Sequence, residues 1–84
     1  MDRFLIESPH TVGDCKKVVK SVYALGYLNN CDWGCVSGVH IAWVTVEAEN
    51  EAQALWVVPP ILRAKAKATK VVKFEPEMVR DWKE

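Results

Sequence analysis

Two histidines and two of the three cysteines in this 84-residue chain are of the types that bind metal ions. They are His10, Cys15, Cys35 and His40, and Asp14 directly precedes the first cysteine. Two thiolates and two imidazoles suit a tetrahedral zinc ion or another ion that accepts soft ligands. The chain has no Cys-x-x-Cys pair, so the spacing itself is a weak metal signal. We therefore take all five as candidate ligand-binding residues, and the four histidines and cysteines as candidate metal ligands.

Strand geometry excludes the third cysteine, Cys31, from this set. On an extended strand, the four steps from Cys31 to Cys35 span about 13 Å. Two sulfurs on one zinc ion are at most about 4.6 Å apart, because each Zn–S bond is about 2.3 Å long. Cys35 and His40, in contrast, would face each other across a hairpin, with Cβ atoms about 4.5–5.5 Å apart. We therefore predict that Cys35 and His40 are cross-strand neighbours.

Two other interpretations of the same residues stay open. In the first, the chain is a thiol-dependent enzyme, with Cys15 in the first turn of a helix, where the dipole lowers a thiol pKa, and His40 assisting Cys35. In the second, the cysteines are small core residues and the histidines make ordinary hydrogen bonds at a sheet end. The sequence does not decide whether the chain is an enzyme. The function we favour from it is a small binding or accessory protein with a polar Cys/His pocket.

The order of the predicted elements explains how residues thirty positions apart could meet. In chain order they are a strand over 3–8, a helix from Thr11 to Gly26, strands over 31–36 and 39–47, a helix from Asn50 to Pro59, a strand over 67–74 and a short helix from Pro76. This βαββαβ order predicts one domain over residues 1–84, an α+β ferredoxin-like sandwich with a four-stranded antiparallel sheet and a short C-terminal helix. In that fold the candidate residues converge at one end of the sheet.

The Ser37-Gly38 pair predicts a two-residue hairpin turn, which assigns each side chain to a face of the sheet. This turn pairs Val36 with Val39, Cys35 with His40, Trp33 with Ala42 and Cys31 with Val44. The core face is predicted to carry Cys31, Trp33, Cys35, His40, Ala42, Val44 and Val46. The opposite face carries Val36, Val39, Ile41 and Trp43, which are too apolar to leave in water. We therefore predict a homodimer through these four residues, with the C-terminal helix as the alternative cover.

The charge distribution argues against nucleic acid as a partner. The net charge is zero, yet residues 21–62 hold four acids and no Lys or Arg, whereas residues 63–73 hold five basic residues and no acid. We interpret the basic run as a solvated edge strand. An RNA-recognition module would need several aromatic side chains on its central strand, and only Trp43 stands there.

Cysteine use and hydropathy predict a cytoplasmic protein. The cysteines are odd in number, and only residues 4–6 are apolar before Glu7, unlike a signal peptide. The longest apolar run, residues 55–62, is far below the roughly 18 residues that span a bilayer. We expect free thiols, no membrane partner, and either a metal or a small molecule as ligand.

Several short motifs occur together along the chain. They are Ser8-Pro9-His10-Thr11, Asp14-Cys15, Asp32-Trp33-Gly34-Cys35, Gly38 with His40, Val46-Glu47-Ala48-Glu49, Pro59-Pro60, Arg63-Ala64-Lys65-Ala66 and Lys73-Phe74-Glu75-Pro76-Glu77. With these motifs, nearly the whole chain resembles a family of small prokaryotic proteins with a domain of unknown function. The resemblance implies a standalone domain, similar in architecture to dimeric α/β-barrel proteins, in which two ferredoxin-like sheets pack face to face. It implies no particular activity.

Overall fold

The structure is a computed structural model that describes residues 1–83, and its centre is a four-stranded antiparallel sheet. The strands are β1 (Asp2–Pro9), β2 (Cys31–Trp33), β3 (Ile41–Ala48) and β4 (Lys67–Val71). The helices are α1 (Cys15–Ala24), α2 (Glu51–Ala54), α3 (Pro60–Arg63) and α4 (Pro76–Val79). The strand order across the sheet is β2-β3-β1-β4. The predicted α+β class with a four-stranded antiparallel sheet is confirmed.

The two central strands bury alternate residues, which identifies the core face of the sheet. In β1 the side chains of Phe4, Ile6 and Ser8 are buried, while their odd-numbered neighbours are partly exposed. In β3 the buried positions include Ala42 and Val44. The predicted assignment of the even-numbered residues of β3 to the core is therefore confirmed. The buried side chains of the main core cluster are those of Phe4, Ile6, Val44, Ala48, Ala54 and Val58.

The first helix begins later than predicted, because a 3-10 turn over Val12–Asp14 precedes it. Thr11 makes no side-chain bond to the backbone of that turn, and its hydroxyl instead donates to the Asp14 carboxylate at 3.0 Å. Along α1, Val18 and Val22 are buried at the spacing that the sequence predicts. The chain leaves the helix through Gly26, whose φ of +82° lies in the left-handed region that glycine tolerates.

The predicted two-residue hairpin turn is wrong, although the strand register is right. Cys31 pairs with Val44 and Trp33 pairs with Ala42, as predicted. The strand β2 then ends at Trp33, and a 3-10 turn over Cys35–Ser37 replaces the predicted ladder pairs of Cys35 and Val36.

Two glycines make this wider turn sterically accessible. Gly38 adopts a φ of +81°. Gly34 lies so close to the returning strand that an added Cβ would come within 2.5 Å of the Val39 carbonyl oxygen. The Val39 amide donates to the Gly34 carbonyl oxygen at 3.0 Å, which closes the turn. Cys35 therefore points from a turn rather than from a strand.

The second predicted helix is divided into short pieces. Asn50 caps α2 as predicted, because its side-chain oxygen accepts a bond from the Gln53 amide at 2.8 Å. The chain then passes into a 3-10 turn over Leu55–Val57 before α3 begins at Pro60. Valine and tryptophan lose side-chain freedom in a helix, which weakens helix propensity in this stretch. The Arg63 guanidinium ties the pieces together by donating to carbonyl oxygens of residues 55, 56 and 58.

The C-terminal part of the chain is largely exposed. The strand β4 lies at the edge of the sheet and ends at Val71, before the predicted end at Phe74. Helix α4 starts at Pro76 as predicted, and Trp82 beyond it packs edge-on against Phe74 at a centroid distance of 5.2 Å. Across residues 1–83, the helices are too short or too polar to cross a membrane.

Candidate metal centre

Four chain segments bring the candidate ligands to one end of the sheet. His10 directly follows β1, and His40 directly precedes β3. Cys15 is the first residue of α1, and Cys35 begins the 3-10 turn between β2 and β3. The convergence predicted from the strand order is therefore present for these four residues, which we call the Cys/His cluster.

Backbone pairing fixes the two histidines side by side. Pro9 and Ile41 form the last register pair between β1 and β3, and the next amide, that of His10, donates to the His40 carbonyl oxygen at 3.0 Å. The Gly34 amide donates to the Ile41 carbonyl oxygen at 3.1 Å, which holds the start of the turn against the same strand. The imidazoles meet edge to face with ring centroids 5.7 Å apart. Their positions thus depend on the sheet and not on a flexible loop.

The distances within the Cys/His cluster are close to those of a tetrahedral metal site. One ligand atom from each of the four residues lies within 4.8 Å of all the others. The Cys15 and Cys35 sulfurs are 3.0 Å apart, and the His10 Nε2 atom is 3.3 Å from the Cys35 sulfur. Around a tetrahedral zinc ion the corresponding separations are about 3.8 Å and about 3.6 Å, from bond lengths of about 2.3 Å for sulfur and 2.1 Å for nitrogen. For these two pairs of atoms, changes in separation of less than about 1 Å would give the distances of a tetrahedral zinc site.

The environment of the Cys/His cluster leaves two ring nitrogens without a partner. All four residues are half-buried. The Nδ1 atoms of His10 and His40 are buried and have no hydrogen-bond partner within residues 1–83. Leaving a buried polar atom unpaired costs about 1–3 kcal/mol. Trp33 packs against His10 with ring centroids 6.1 Å apart and adds apolar cover on that side.

The contact with Cys15 affects the ionisation of the Cys35 thiol. The hydrogen bond with Cys15 and, to a smaller degree, burial raise the pKa of the Cys35 thiol above its ordinary value of 9.0. Two thiolates in contact repel each other, so both ionise together only when a cation lies between them. The raised pKa of Cys35 is the opposite of the lowered pKa that activates a nucleophilic thiol.

Asp14, a predicted ligand-binding residue, and Cys31, which strand geometry excluded as a metal ligand, both lie outside the Cys/His cluster. Asp14 does not join it, because its carboxylate accepts the bond from Thr11. Cys31 lies on β2 and packs against the main core, which agrees with its exclusion from the candidate metal ligands. Burial, with a smaller contribution from the neighbouring Asp32 carboxylate, raises the pKa of the Cys31 thiol above 9.0.

A cavity that the sequence did not predict adjoins the cluster. It has a volume of about 330 Å³, lies between α1 and α3, and includes His10 in its wall. Its lining combines apolar residues such as Val18 and Leu62 with two lysines, Lys17 and Lys65, and one acid, Asp14. Pro59, Ile61 and Leu62, which lie where the second predicted helix is interrupted, form one wall of the cavity. The Pro59-Pro60 pair is the sequence signal for this interruption.

Comparisons of the chain with family models, with curated proteins and with solved structures give no significant match. The arguments about function therefore rest on the geometry of the chain itself.

Proposed function

We propose that this protein binds a transition-metal ion through His10, Cys15, Cys35 and His40, and that Zn²⁺ suits the donor set best. The observation that carries the proposal is the convergence of four nitrogen and sulfur ligand atoms within 4.8 Å. Two thiolate sulfurs and two imidazole nitrogens are a donor set of structural zinc sites.

Four protein ligands would fill the coordination sphere of a tetrahedral ion. Catalytic zinc sites keep one position open for water or substrate, whereas structural sites are closed. The Cys/His cluster therefore favours an ion that stabilises the domain, or that the domain carries, over an ion that activates water. A chain of 84 residues has a small core, so a metal that links four segments contributes directly to folding.

The metal-binding proposal explains more observations than the two alternatives. Simple core packing of the cysteines gives no reason for two sulfurs and two imidazole nitrogens to converge within 4.8 Å. A thiol-dependent enzyme needs a thiol that ionises readily, and the raised pKa of Cys35 is opposed to that requirement. Coordination deprotonates thiols outright, and a cation between them offsets the repulsion of two sulfurs in contact.

The test is a metal titration of chelator-treated full-length protein. We expect one equivalent of Zn²⁺ to bind per chain, and Co²⁺ to give the visible spectrum of a tetrahedral site with thiolate ligands. The Cys35→Ala variant should lose both, because Cys35 contacts two of the other ligands.

The matched control for this titration is Cys31→Ala, which removes the cysteine that lies outside the Cys/His cluster. It should keep the stoichiometry and the spectrum of the unmodified chain. Binding that persists in Cys35→Ala, or that disappears in Cys31→Ala, would assign the ion to another site. The absence of stoichiometric binding to the unmodified chain would refute the proposal.

A second candidate function is the binding of a small organic anion in the cavity between α1 and α3. The carrying observation is a pocket of about 330 Å³ with apolar walls, in which Lys17 and Lys65 outnumber the one acid, Asp14, whose carboxylate accepts the bond from Thr11. Small-molecule pockets in proteins start at about this volume and combine apolar surface with few polar groups. No carboxylate lies within ion-pair distance of either ammonium group in residues 1–83.

An NMR titration with benzoate, with benzyl alcohol as the uncharged analogue, tests this second function. We expect benzoate alone to shift the amide signals of the cavity residues. The Lys17→Ala variant should weaken the effect, and Lys16→Ala, at an exposed lysine outside the lining, should not. Equal shifts with both compounds would show that charge is not recognised.

The finer assignments of fold, assembly and location are also proposals. The strand order and the antiparallel pairing support a ferredoxin-like classification, with the second helix divided.

Half-buried Ile41 and Trp43 and exposed Val39 support the predicted homodimer, whereas Val36 lies in the turn and is fully exposed. Sedimentation at low micromolar concentration checks the dimer, because a monomer would have a mass of 9.5 kDa. Three free thiols support a reducing compartment such as the cytoplasm.

A further inference from the structure

The contact between Cys15 and Cys35 is suited to a second kind of chemistry. Their sulfurs are 3.0 Å apart. A disulfide bond is about 2.05 Å long, and two sulfurs on one zinc ion lie about 3.8 Å apart. The observed distance falls between the two values, so a movement of about 1 Å or less leads to either state.

The elements that carry the two sulfurs can accommodate such a movement. Cys15 is at the first position of α1, and Cys35 begins a turn whose next residues, Val36 and Ser37, are exposed. Neither cysteine belongs to the sheet ladder or to the main core cluster. Cys31, in contrast, is paired with Val44 in the sheet and packs against that cluster.

We propose that Cys15 and Cys35 form a reversible intramolecular disulfide, which makes the Cys/His cluster a site of oxidative modification. In the metal-bound form, this modification removes both sulfur ligands and releases the ion. The release rests on the metal-binding function proposed above, whereas the disulfide itself does not.

The oxidant is a low-molecular-weight disulfide. The sulfur of one cysteine attacks a sulfur of the oxidant, the S–S bond of the oxidant breaks, and one small thiolate leaves. The sulfur of the second cysteine then attacks the protein sulfur of this mixed disulfide and expels the second small thiolate. Two electrons pass from the two cysteines to the oxidant, and the protons of the two thiols end on the two released small thiols. A small dithiol reverses the sequence.

The test is to treat the metal-free full chain with glutathione disulfide and count the remaining thiols after denaturation. The unmodified chain has three free cysteines, and we expect one to remain. Peptide mapping should find a bridge between Cys15 and Cys35, with the loss of two hydrogen atoms in the intact mass. The matched variant Cys31→Ala should lose both of its thiols.

A second arm uses the zinc-loaded chain. Oxidation should release Zn²⁺ to a chromogenic chelator at the rate at which thiols disappear, and dithiothreitol should restore binding. Stable glutathione adducts on Cys15 or Cys35, or a bridge that includes Cys31, would overturn the proposal.

The two arms separate this proposal from the metal-binding function. A Cys15–Cys35 bridge in a chain that never binds zinc would uphold the disulfide and refute the metal site. A chain that binds zinc but forms no bridge, with or without the ion, would refute the disulfide alone.

Discussion

Under the proposed metal-binding function, replacement of Cys35 by serine should abolish most of the stabilisation that zinc gives the chain. Cys35 is the centre of the Cys/His cluster, since its sulfur contacts both Cys15 Sγ and His10 Nε2. A serine hydroxyl has nearly the shape of a thiol but is a poor ligand for zinc, which binds thiolate sulfur. The substitution therefore tests coordination with little change in packing.

The size of the effect follows from linkage between binding and folding. Free zinc at 1,000 times its dissociation constant stabilises the folded state by about 4.1 kcal/mol. For a domain of this size each kcal/mol raises Tm by about 4–8 °C, so zinc should raise Tm of the unmodified chain by about 15–30 °C. Loss of an outer-shell contact already weakens metal binding about 10–100-fold, so we expect loss of a sulfur ligand to weaken it at least about 100-fold. At the same zinc concentration the variant then gains about 1.4 kcal/mol or less.

The assay is thermal unfolding with and without zinc, and the quantity compared is the zinc-dependent increase in Tm. Cys31→Ser is the matched control, because it makes the same chemical change outside the Cys/His cluster. Its Tm without zinc should fall, since Cys31 packs against the core, but its zinc-dependent increase should equal that of the unmodified chain. An equal increase in Cys35→Ser and in the unmodified chain would refute the assigned coordination.

Three further predictions concern the stability of the fold. Gly34→Ala should lower the free energy of unfolding by about 1–3 kcal/mol, the usual cost of overpacking, because the new Cβ would come within 2.5 Å of the Val39 carbonyl oxygen. Urea denaturation measures this, and Gly13→Ala, whose Cβ meets no atom within 4 Å, is the control that should stay close to the unmodified chain. Asn50→Ala should cost about 0.5–2 kcal/mol in the same assay, because it removes the side-chain cap of α2, and no change would mean that the cap does not stabilise the helix. Burial raises the pKa of Cys31 above 9.0, so the folded state keeps this proton to higher pH than the unfolded chain, and its contribution to stability should be lost as pH rises through and beyond 9. A metal-free Cys31→Ala variant should show a shallower alkaline decline, and identical slopes would count against the assigned cause.

Much of the sheet was predictable because alternation and register depend on local patterns. The pairing of Trp33 with Ala42 was predicted from the Ser37-Gly38 turn, and it is present although the turn itself differs. The wrong turn did not disturb this register, because the 3-10 turn occupies the same stretch of chain as the predicted strand ends. The sequence pattern could not show that the Gly34 backbone lies close to the Val39 carbonyl oxygen, because this contact depends on the folded position of Val39.

The candidate site was predictable in its members but not in its geometry. Strand order was sufficient to bring His10 and His40 to one end of the sheet. The contact between Cys15 and Cys35 depends on where a turn and a helix begin, and such boundaries depend on tertiary packing. Asp14 was included because it lies next to Cys15, but its bond to Thr11 engages its carboxylate outside the cluster. The cavity depends on the division of a helix, which single-residue propensities specify only weakly.

The pairing of β1 with β3 also bears on the order in which the Cys/His cluster assembles during folding. The β2–β3 hairpin joins nearby residues, such as Trp33 and Ala42, whereas the β1–β3 ladder joins Asp2 to Ala48. Closing the longer loop costs more chain entropy, so the hairpin that carries Cys35 and His40 can form before β1 brings His10 to it. The complete ligand set would then exist only after the transition state for folding. An ion that bridges all four ligands should therefore slow unfolding far more than it speeds folding, and its main benefit to the chain would be a longer lifetime of the native state.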